Sequence, residues 1–547
     1  MRYRLLISTE TSRLLDSKTQ TAWGFNPFAM VEAAGRGCAQ VFTRAFPRLF
    51  SSRHPRIVAV AGNGNNGADA MIMLRYWLLS GRADPSRSAV LMSRFPKQDV
   101  KTPLSEVFLF FKKMKVPVMI WDGDAGEGFG RASEDLLANA DIIIDGIAGT
   151  GVKGPLTGAP EEMVKAINAL KGEGRESRSV KKARYHCPMV VSVDIPSGNS
   201  DSWKPDMPVI NADVTLVIEP QKYCLYTPAA RPHCGMILPV GGLFPPGLVA
   251  SCQGAELLDW NSDRQAIWKV KPDTYKNSRG TVEIRAGAIG STGAALIAAR
   301  GAQAAGAGLI RLISDESVYP VLASRAGGIM VIPTGRVDGE DKTNGRFKPD
   351  AILLGPGWGK TPDRTLVLKK ALKQEKEGIP LILDADAITL AGKAVFSGRT
   401  ILTPHPGELA SYTGIAKEEL LARPGSILLD LAREKKAVIL FKSHVMTIAS
   451  FDGRLGVVDG MTPVLSTGGS GDLLAGFCAA IGARMMQDGQ GFDGYTCAAA
   501  AAALLIASGR SEELAGRFLD PLEIADKAAG LAGEAWLAQD IGGSVNG

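Results

Sequence analysis

Five side chains in the C-terminal half could do proton or phosphate chemistry. Asp384 and Asp386 close LILDAD, His405 sits in TPHPGE, Lys442 follows AVILF, and Asp472 lies in STGGSGDLLAGF. The last segment holds Gly468, Gly469 and Gly471 just ahead of an apolar run. A glycine-rich turn can aim several N–H groups at one point, and a following helix adds the positive end of its dipole. Together they suit a phosphate or another anion. An aspartate there would repel that anion unless it takes a proton from a hydroxyl while the N–H groups stabilise phosphate charge. The plainer reading makes Asp472 a helix cap, His405 a capping or surface residue, and Lys442 a solvated lysine. In the N-terminal half, Asn65, Asn66, Asp69, Asp145, Asp194 and Ser197 all follow or close apolar runs.

Positioning these groups requires strands that end in turns. RIVAVAGNGNNGADAMIMLRYWLLSG (56–81) reads as strand, glycine turn and helix, and residues 11–50 read as helical. SAVLMS, ADIIIDGIAGTGVKG, PMVVSVDIPSG and ADVTLVIEP repeat the strand signal. This alternation predicts a doubly wound α/β domain, whose ligands bind beyond the C-terminal strand ends. The charged stretch 171–184 reads as a solvated loop. Residues 244–265 lack periodicity and carry two prolines, which places a domain boundary there. The expected division is a first domain over 1–247, a linker over 248–270 and a second domain over 271–547.

A second α/β series follows. GTVEIRAGAIGSTGAALIAARGAQAAGAGLIRLIS gives strand, turn, small-residue helix and strand. DAILLGPGWG, PLILDADAITL, TILTPHPGEL and KAVILFKSHVMTIAS each read as a strand entering a polar turn. The apolar run 497–509 is too short for a membrane span and reads as a buried, alanine-packed helix. No repeat links the halves, so two different folds are expected.

Bulk properties agree with a soluble, two-domain or larger protein. The chain has 547 residues, 45% hydrophobic and 22% charged. A formal charge of +6 over that length makes no case for nucleic acid. Seven cysteines stand without a CxxC spacing, which predicts reduced thiols in a cytoplasm and no zinc site. The N-terminal segment is too short in apolar residues for a signal peptide.

GPGWG, LILDADAITL, ILTPHPGELA and STGGSGDLLAG, in this order, resemble the ribokinase-like family, and more narrowly its nucleotide-dependent NAD(P)H-hydrate dehydratases. GNGNNGAD, DGIAGTGVKGP and VVSVDIPSG resemble the NAD(P)H-hydrate epimerase domain fused to such dehydratases in many bacteria. The resemblance spans most of 10–245 and 270–540. It implies a Rossmann-like doubly wound domain followed by a ribokinase-like α/β domain. The implied activities are epimerisation of R- and S-hydrates of NADH and NADPH, and dehydration of the S form with ADP, giving AMP and phosphate. By resemblance Asp472 is general base on the C6 hydroxyl, and Gly468, Gly469 and Gly471 hold the transferred phosphate. The nucleotide is placed against Lys442, Ser443, His444, Val445, Met446 and Gly471. The hydrate is placed against Ala294, Gly357, His405 and Asp472. In the first domain the resemblance sets the hydrate against Asn65, Asn66, Gly67, Ala68 and Asp69. It adds Gly149, Thr150, Gly151, Val152, Lys153, Gly154, Pro155 and Asp194, with Asp194 moving protons. Potassium is implied at Asn66, Asp145 and Ser197, and magnesium with the nucleotide. The implied partners are the hydrates and ADP, with no nucleic acid, no membrane and a homo-oligomeric state.

Three positions depart from the family pattern. NNGADA replaces NNGGDG, putting Ala68 and Ala70 where glycines stand; a positive φ at Ala68 would cost about 1 kcal/mol. Ser443 and His444 follow Lys442 where glycine is usual, and RAGAIG stands for IGGS. The competing expectation is a ribokinase-like kinase of a hydroxymethylpyrimidine-type substrate, fused to a non-catalytic Rossmann-like binding module.

Overall fold

The computed structural model describes residues 4–51, 54–97, 100–123, 132–176, 187–260, 267–268, 273–337, 348–489, 491–510, 514 and 516–540. The chain divides into two compact units, one up to Ala255 and one from Glu256 onward.

In the first unit a short strand, β1 (Leu5–Ile7), precedes helices Thr9–Trp23 and Pro27–Ala45. The main sheet is built from β2 (Ile57–Ala61), β3 (Ser88–Met92), β4 (Val118–Ile120), β5 (Ile142–Gly146), β6 (Met189–Val193) and β7 (Val214–Ile218). After the short β8 (Gln221–Lys222), β9 (Met236–Val240) completes it. The order is β4-β3-β2-β5-β6-β7-β9, parallel throughout, while β1 pairs with β8. Strands β2, β3, β5 and β7 are buried at every residue, because helices cover both faces. The order reverses between β2 and β5, so their C-terminal ends diverge into a crevice. Helix Asn65–Leu79 starts at that crevice.

In the second unit the strands are β10 (Ala255–Leu258), β11 (Thr281–Arg285), β12 (Leu309–Ser314), β13 (Met330–Pro333), β14 (Ala351–Leu354) and β15 (Leu381–Leu383). They continue with β16 (Thr400–Leu402), β17 (Val438–Phe441), β18 (Val445–Ser450) and β19 (Leu455–Asp459). Their order is β13-β12-β11-β14-β15-β16-β17-β18-β19-β10. Pairing is parallel from β13 to β17, antiparallel through β18 to β19, and parallel again at β10. Helices Thr292–Ala304, Ser470–Gln487 and Gly494–Gly509 share one core cluster with β11 and β14 residues. Gly494–Gly509 is the buried alanine helix that the sequence predicts. Among the described residues no helix is long and apolar enough to cross a membrane. All seven thiols are free.

Three local expectations change. The segment 436–450 makes two strands, since Lys442–His444 turn the chain back into an antiparallel hairpin. The charged stretch begins as helix: Ala159–Glu176 runs through its first residues, and Lys171 pairs with Asp213 at 2.8 Å. Residues 177–184 lie outside the described residues. The expected linker carries a helical turn at Pro246–Ala250 and strand β10, which pairs with β19.

Small residues let two helices of the second unit touch through their backbones. A Cβ on Gly476 would stand 2.1 Å from the carbonyl oxygen of Ala298, and one on Gly301 2.6 Å from that of Leu473. Gly476→Ala is therefore expected to destabilise the second unit by about 1–3 kcal/mol, the usual range for overpacking. Urea denaturation followed by far-UV circular dichroism checks this; an unchanged midpoint would mean that the helices separate freely.

Candidate active sites

In the first unit a cleft of about 440 Å³ opens at the crevice between β2 and β5. Helix Thr9–Trp23 contributes Ser12, Arg13 and Asp16, and the turn after β2 contributes Gly64, Asn65, Asn66 and Asp69. The turn after β5 contributes Ile147 to Val152, and Asp194, Ile218 and Lys222 complete the deep wall. Gly67 and Ala68 are buried behind that surface, and Lys153 and Pro155 are exposed outside it. Gly67 is obligatory, because a Cβ there would lie 2.3 Å from the carbonyl oxygen of Gly62. Ala68 sits inside helix Asn65–Leu79 and is absent from the positive-φ residues, so alanine is at home there.

Asp194 follows β6 with φ +65°. This left-handed conformation is one that aspartate tolerates better than most residues. Its Oδ1 accepts from Lys222 Nζ at 2.6 Å and from the Ile218 amide at 3.1 Å. Lys222 Nζ also donates to the Ile218 carbonyl at 2.6 Å. Both side chains are nearly inaccessible, at 2% for Lys222 and 11% for Asp194. Asp69 is buried with Oδ1 lacking a partner, and burial, then the charges of Asp194 and Asp16, push its carboxyl well above the usual range.

Asp145 is fully buried at the end of β5 and outside the cleft lining. Its Oδ2 accepts from Ser192 Oγ at 2.7 Å and Ser197 N at 3.0 Å, and Oδ1 from Ile147 N at 3.2 Å and Ser197 Oγ. Burial raises its pKa against these bonds. Ser197 Oγ lies 3.0 Å from the Ala148 carbonyl, to which Asn66 Nδ2 donates at 3.0 Å. Asn66 and Ser197 thus meet at one backbone oxygen, and Ser197 links it to Asp145.

In the second unit the polar groups stand at the C-terminal ends of β14 to β17. Lys442, after β17, donates from Nζ to Asp384 Oδ1 at 2.6 Å. Thr403 Oγ1 donates to the same oxygen at 2.7 Å. Burial works against the Lys442 ammonium, but the charges of Asp384, Glu408 and Asp472 outweigh it and raise its pKa. The solvated reading of this lysine is therefore replaced by a buried ion pair. Asp386 ties down the turn after β14, accepting from the Gly359 amide at 2.9 Å.

Asp472 lies in the first turn of helix Ser470–Gln487, whose N-cap, Gly469, makes no side-chain capping bond. The capping reading of Asp472 has no hydrogen bond behind it. Burial first, then the charge of Asp384, lift its pKa to about 7, while Lys442 pulls it down. His405 does cap: its Nδ1 accepts from Gly407 N at 3.0 Å and Glu408 N at 3.2 Å. Two donors on Nδ1 put the ring proton on Nε2, 3.3 Å from Glu408 Oε1.

A cleft of about 360 Å³ lies between the β17–β18 hairpin, the glycine turn and helix Gly494–Gly509. His405, Lys442, Ser443, His444, Thr467, Ser470 and Gly471 give it a polar side. Met446, Leu465, Leu474, Leu505 and Ile506 give it an apolar one. Val445 is buried within β18 and does not line it. Gly471 leaves room for Lys442, since a Cβ would lie 3.2 Å from Nζ. Gly357 and Ala294 come together apart from this cleft: a Cβ on Gly357 would meet that of Ala294 at 3.0 Å.

Sequence reasoning missed Lys222, and it named Asp384 and Lys442 without pairing them. It also missed Arg13 and Asp16. QKYCLY carries no pattern that marks a buried lysine, whereas Asp384 and Lys442 both close parallel strands of one sheet, β15 and β17, on either side of β16.

Two α/β units, each with a buried lysine–aspartate pair at its strand ends, define a protein with two separate reaction centres. A family model described as YjeF-related protein N-terminus matches residues 27–224, and one described as NAD(P)H-hydrate dehydratase matches 282–527. The chain is 27% identical over 502 residues to the bifunctional NAD(P)H-hydrate repair enzyme Nnr of Moorella thermoacetica, covering 88% of this chain and 89% of that one. It is 29% identical over 484 residues to the protein of the same name from Thermofilum pendens, covering 86% of each. A solved ADP/ATP-dependent NAD(P)H-hydrate dehydratase from Bacillus subtilis, co-crystallized with ATP/Mg2+, matches at 24% identity and a TM-score of 0.44, over 51% of this chain and 99% of that one. The chain belongs to both matched families, one in each unit.

Removing the lysine from the first pair should strand a buried carboxylate. Lys222→Met is expected to cost about 3–5 kcal/mol of stability, and the double variant with Asp194→Asn to recover most of it. Thermal unfolding of the three proteins checks the coupling; equal losses in the single and double variants would exclude an ion pair.

Proposed function

We propose that the chain is a bifunctional nicotinamide-nucleotide repair enzyme. The first unit interconverts the R and S hydrates of NADH and NADPH, and the second dehydrates the S form with ADP. The observation that carries the second activity is Asp472, a carboxylate with a pKa near 7 at the start of a helix, beside a glycine turn and a buried lysine. A group of that pKa is half ionised near neutrality and suits general-base work. Asp472 takes the proton of the C6 hydroxyl as its oxygen receives the terminal phosphoryl group of ADP, releasing AMP. Phosphate then leaves with the C6–O bonding electrons, and loss of a proton from the adjacent ring carbon forms the double bond of NADH or NADPH. The backbone of Gly468 to Gly471 and Lys442 stabilise charge on the phosphate in flight. The apolar side of the cleft suits a nucleotide base and the polar side its phosphates. The kinase alternative makes the first half a non-catalytic binding module, whereas relatives that match over both halves carry the name of a bifunctional NAD(P)H-hydrate repair enzyme.

Among the described residues no cluster of three ligating side chains stands ready for a divalent cation. Magnesium would arrive on the nucleotide phosphates, as it commonly does. The first unit does fit a large monovalent cation. Ser197 Oγ has one proton and two acceptors within reach, Asp145 Oδ1 and Ala148 O, with Asn66 alongside. That surplus of oxygen lone pairs is what potassium would neutralise, and its charge would favour ionised Asp145. In the epimerase reaction the free Oδ2 of Asp194 faces the hydrate, while Lys222 holds Oδ1.

Asp472→Asn is expected to lower dehydration about 10²–10⁴-fold and leave R/S exchange unaltered. In the parent, dehydration kcat/KM should fall as pH drops through about 7, because protonated Asp472 cannot accept the hydroxyl proton. The stability effect has the opposite sign. The folded pKa of about 7 exceeds the unfolded 3.8, so ionisation opposes folding increasingly from pH 4 to 7. Asp472→Asn should therefore melt higher than the parent at pH 8, with the gain fading near pH 4. Wild-type dehydration by this variant, or a flat pH profile, would remove Asp472 from the mechanism.

Asp194→Ala should consume the S form quickly and the R form only at the spontaneous exchange rate. The decay of an R/S mixture with excess ADP reads this as two phases. A single fast phase, as in the parent, would make Asp194 structural.

A further inference from the structure

We propose that Arg13 is a phosphate-recognition residue of the first cleft, pairing with a phosphate of the dinucleotide that the cleft accepts. This rests on the epimerase reading and deepens it by naming what grips the substrate away from its reacting ring. Arg13 precedes the family-matched segment, which begins at residue 27, so the family match assigns it nothing.

Arg13 lines the cleft, yet its Nε is buried without a hydrogen-bond partner among the described residues. Buried polar atoms are paired in the great majority of cases, and a guanidinium cannot shed its proton to escape the cost. The helix that carries it is fixed in place. Ser8 caps it by accepting from the Thr11 amide at 2.9 Å. Asp201 Oδ2 accepts from Thr9 N at 2.6 Å and from Thr9 Oγ1 at 2.7 Å. Leu15 and Thr19 are buried beneath. The guanidinium is therefore held ready rather than swept through solvent.

The carboxylates of the cleft do not compensate Arg13. Asp194 is bonded to Lys222. Asp16 Oδ2 accepts from Gln20 Nε2 at 3.2 Å and Asp69 Oδ1 has no partner, so among the described residues neither carboxyl is hydrogen-bonded to Arg13. The cleft thus offers one cation with an unfilled donor. A phosphate fits that donor set, because its oxygens accept the forked N–H groups of an arginine side by side. The chemistry is shared by the pyrophosphate bridge and by the 2′-phosphate of the NADPH form, and the two substrates separate these.

The test uses the full chain as parent, Arg13→Gln and Arg13→Lys. For R/S exchange, Arg13→Gln should raise KM about tenfold to a hundredfold, the size of one charge-assisted contact, with kcat nearly unchanged. Arg13→Lys should recover part of the loss. An equal rise with both hydrates assigns the pyrophosphate, and a rise confined to the NADPH hydrate assigns the 2′-phosphate. Unchanged KM with both hydrates, or a loss in kcat alone, overturns the proposal. The kcat for exchange and an unchanged thermal melt report that the first unit remains folded. If the parent shows no exchange at all, the epimerase reading fails, and calorimetric titration with inorganic pyrophosphate still decides on Arg13. The parent should then bind one more pyrophosphate than Arg13→Gln, the second unit's share being common to both; equal binding overturns the proposal.

Discussion

The ammonium of Lys442, 2.6 Å from Asp384, lets three carboxylates share the end of the second sheet. Asp384, Asp472 and Glu408 all act electrostatically on it. Without a cation, their mutual repulsion in a partly dry site would leave few of them ionised. Asp384 takes the hydrogen bond and is only 2% exposed. Asp472 receives only the field, which burial and the charge of Asp384 more than cancel. The result is a division of labour between two aspartates near one lysine: one fixes the cation, the other stays available for a proton.

The first unit uses the same device on an unrelated strand order. Lys222 bonds Asp194 Oδ1 at the same distance, and Asp69 is the carboxyl left without a partner. Backbone strain accompanies both pairs. Asp194 itself has φ +65°, and Ala385, directly after Asp384, has φ +47°. Left-handed backbone at a residue other than glycine costs on the order of 1–3 kcal/mol, and it persists where the surroundings force it. Here the strand must end and turn at once so that an aspartate points along the sheet axis toward its lysine.

Much of this was legible in the sequence, for identifiable reasons. Runs such as IVAVA and VTLVI are mostly apolar and rich in β-branched residues, which marks strands covered on both faces. The glycine turn before Asp472 declared itself by composition. What stayed hidden depends on contacts between distant segments. Lys222 and Asp194 stand 28 residues apart, and Lys442 and Asp384 58 apart. Only the parallel register of the sheets brings them together. The return strand Val445–Ser450 goes unmarked because Ser443 turns the chain with a local device, its Oγ donating to Val445 O at 2.8 Å. Arg13 was passed over because nothing near it in the sequence distinguishes a cleft-facing arginine from a solvated one.

The position of Asp472 sets two effects against each other, and their sizes decide the chemistry. An acidic residue in the first turn of a helix is favoured by the macrodipole by about 0.3–1 kcal/mol, which would lower its pKa by less than one unit. Its pKa instead rises from 3.8 to about 7, a penalty on the order of 4 kcal/mol against the ionised form. Burial and the neighbouring carboxylate therefore win by severalfold. A dipole-dominated aspartate would be a poor base, ionised at all physiological pH values and holding a transferred proton too weakly. In the proposed mechanism the same helix terminus would serve the phosphate, which brings more charge and more oxygens to meet the N–H groups of Gly471 and Asp472. One structural element would thus attract the anion while its own carboxylate is kept basic by the dryness around it.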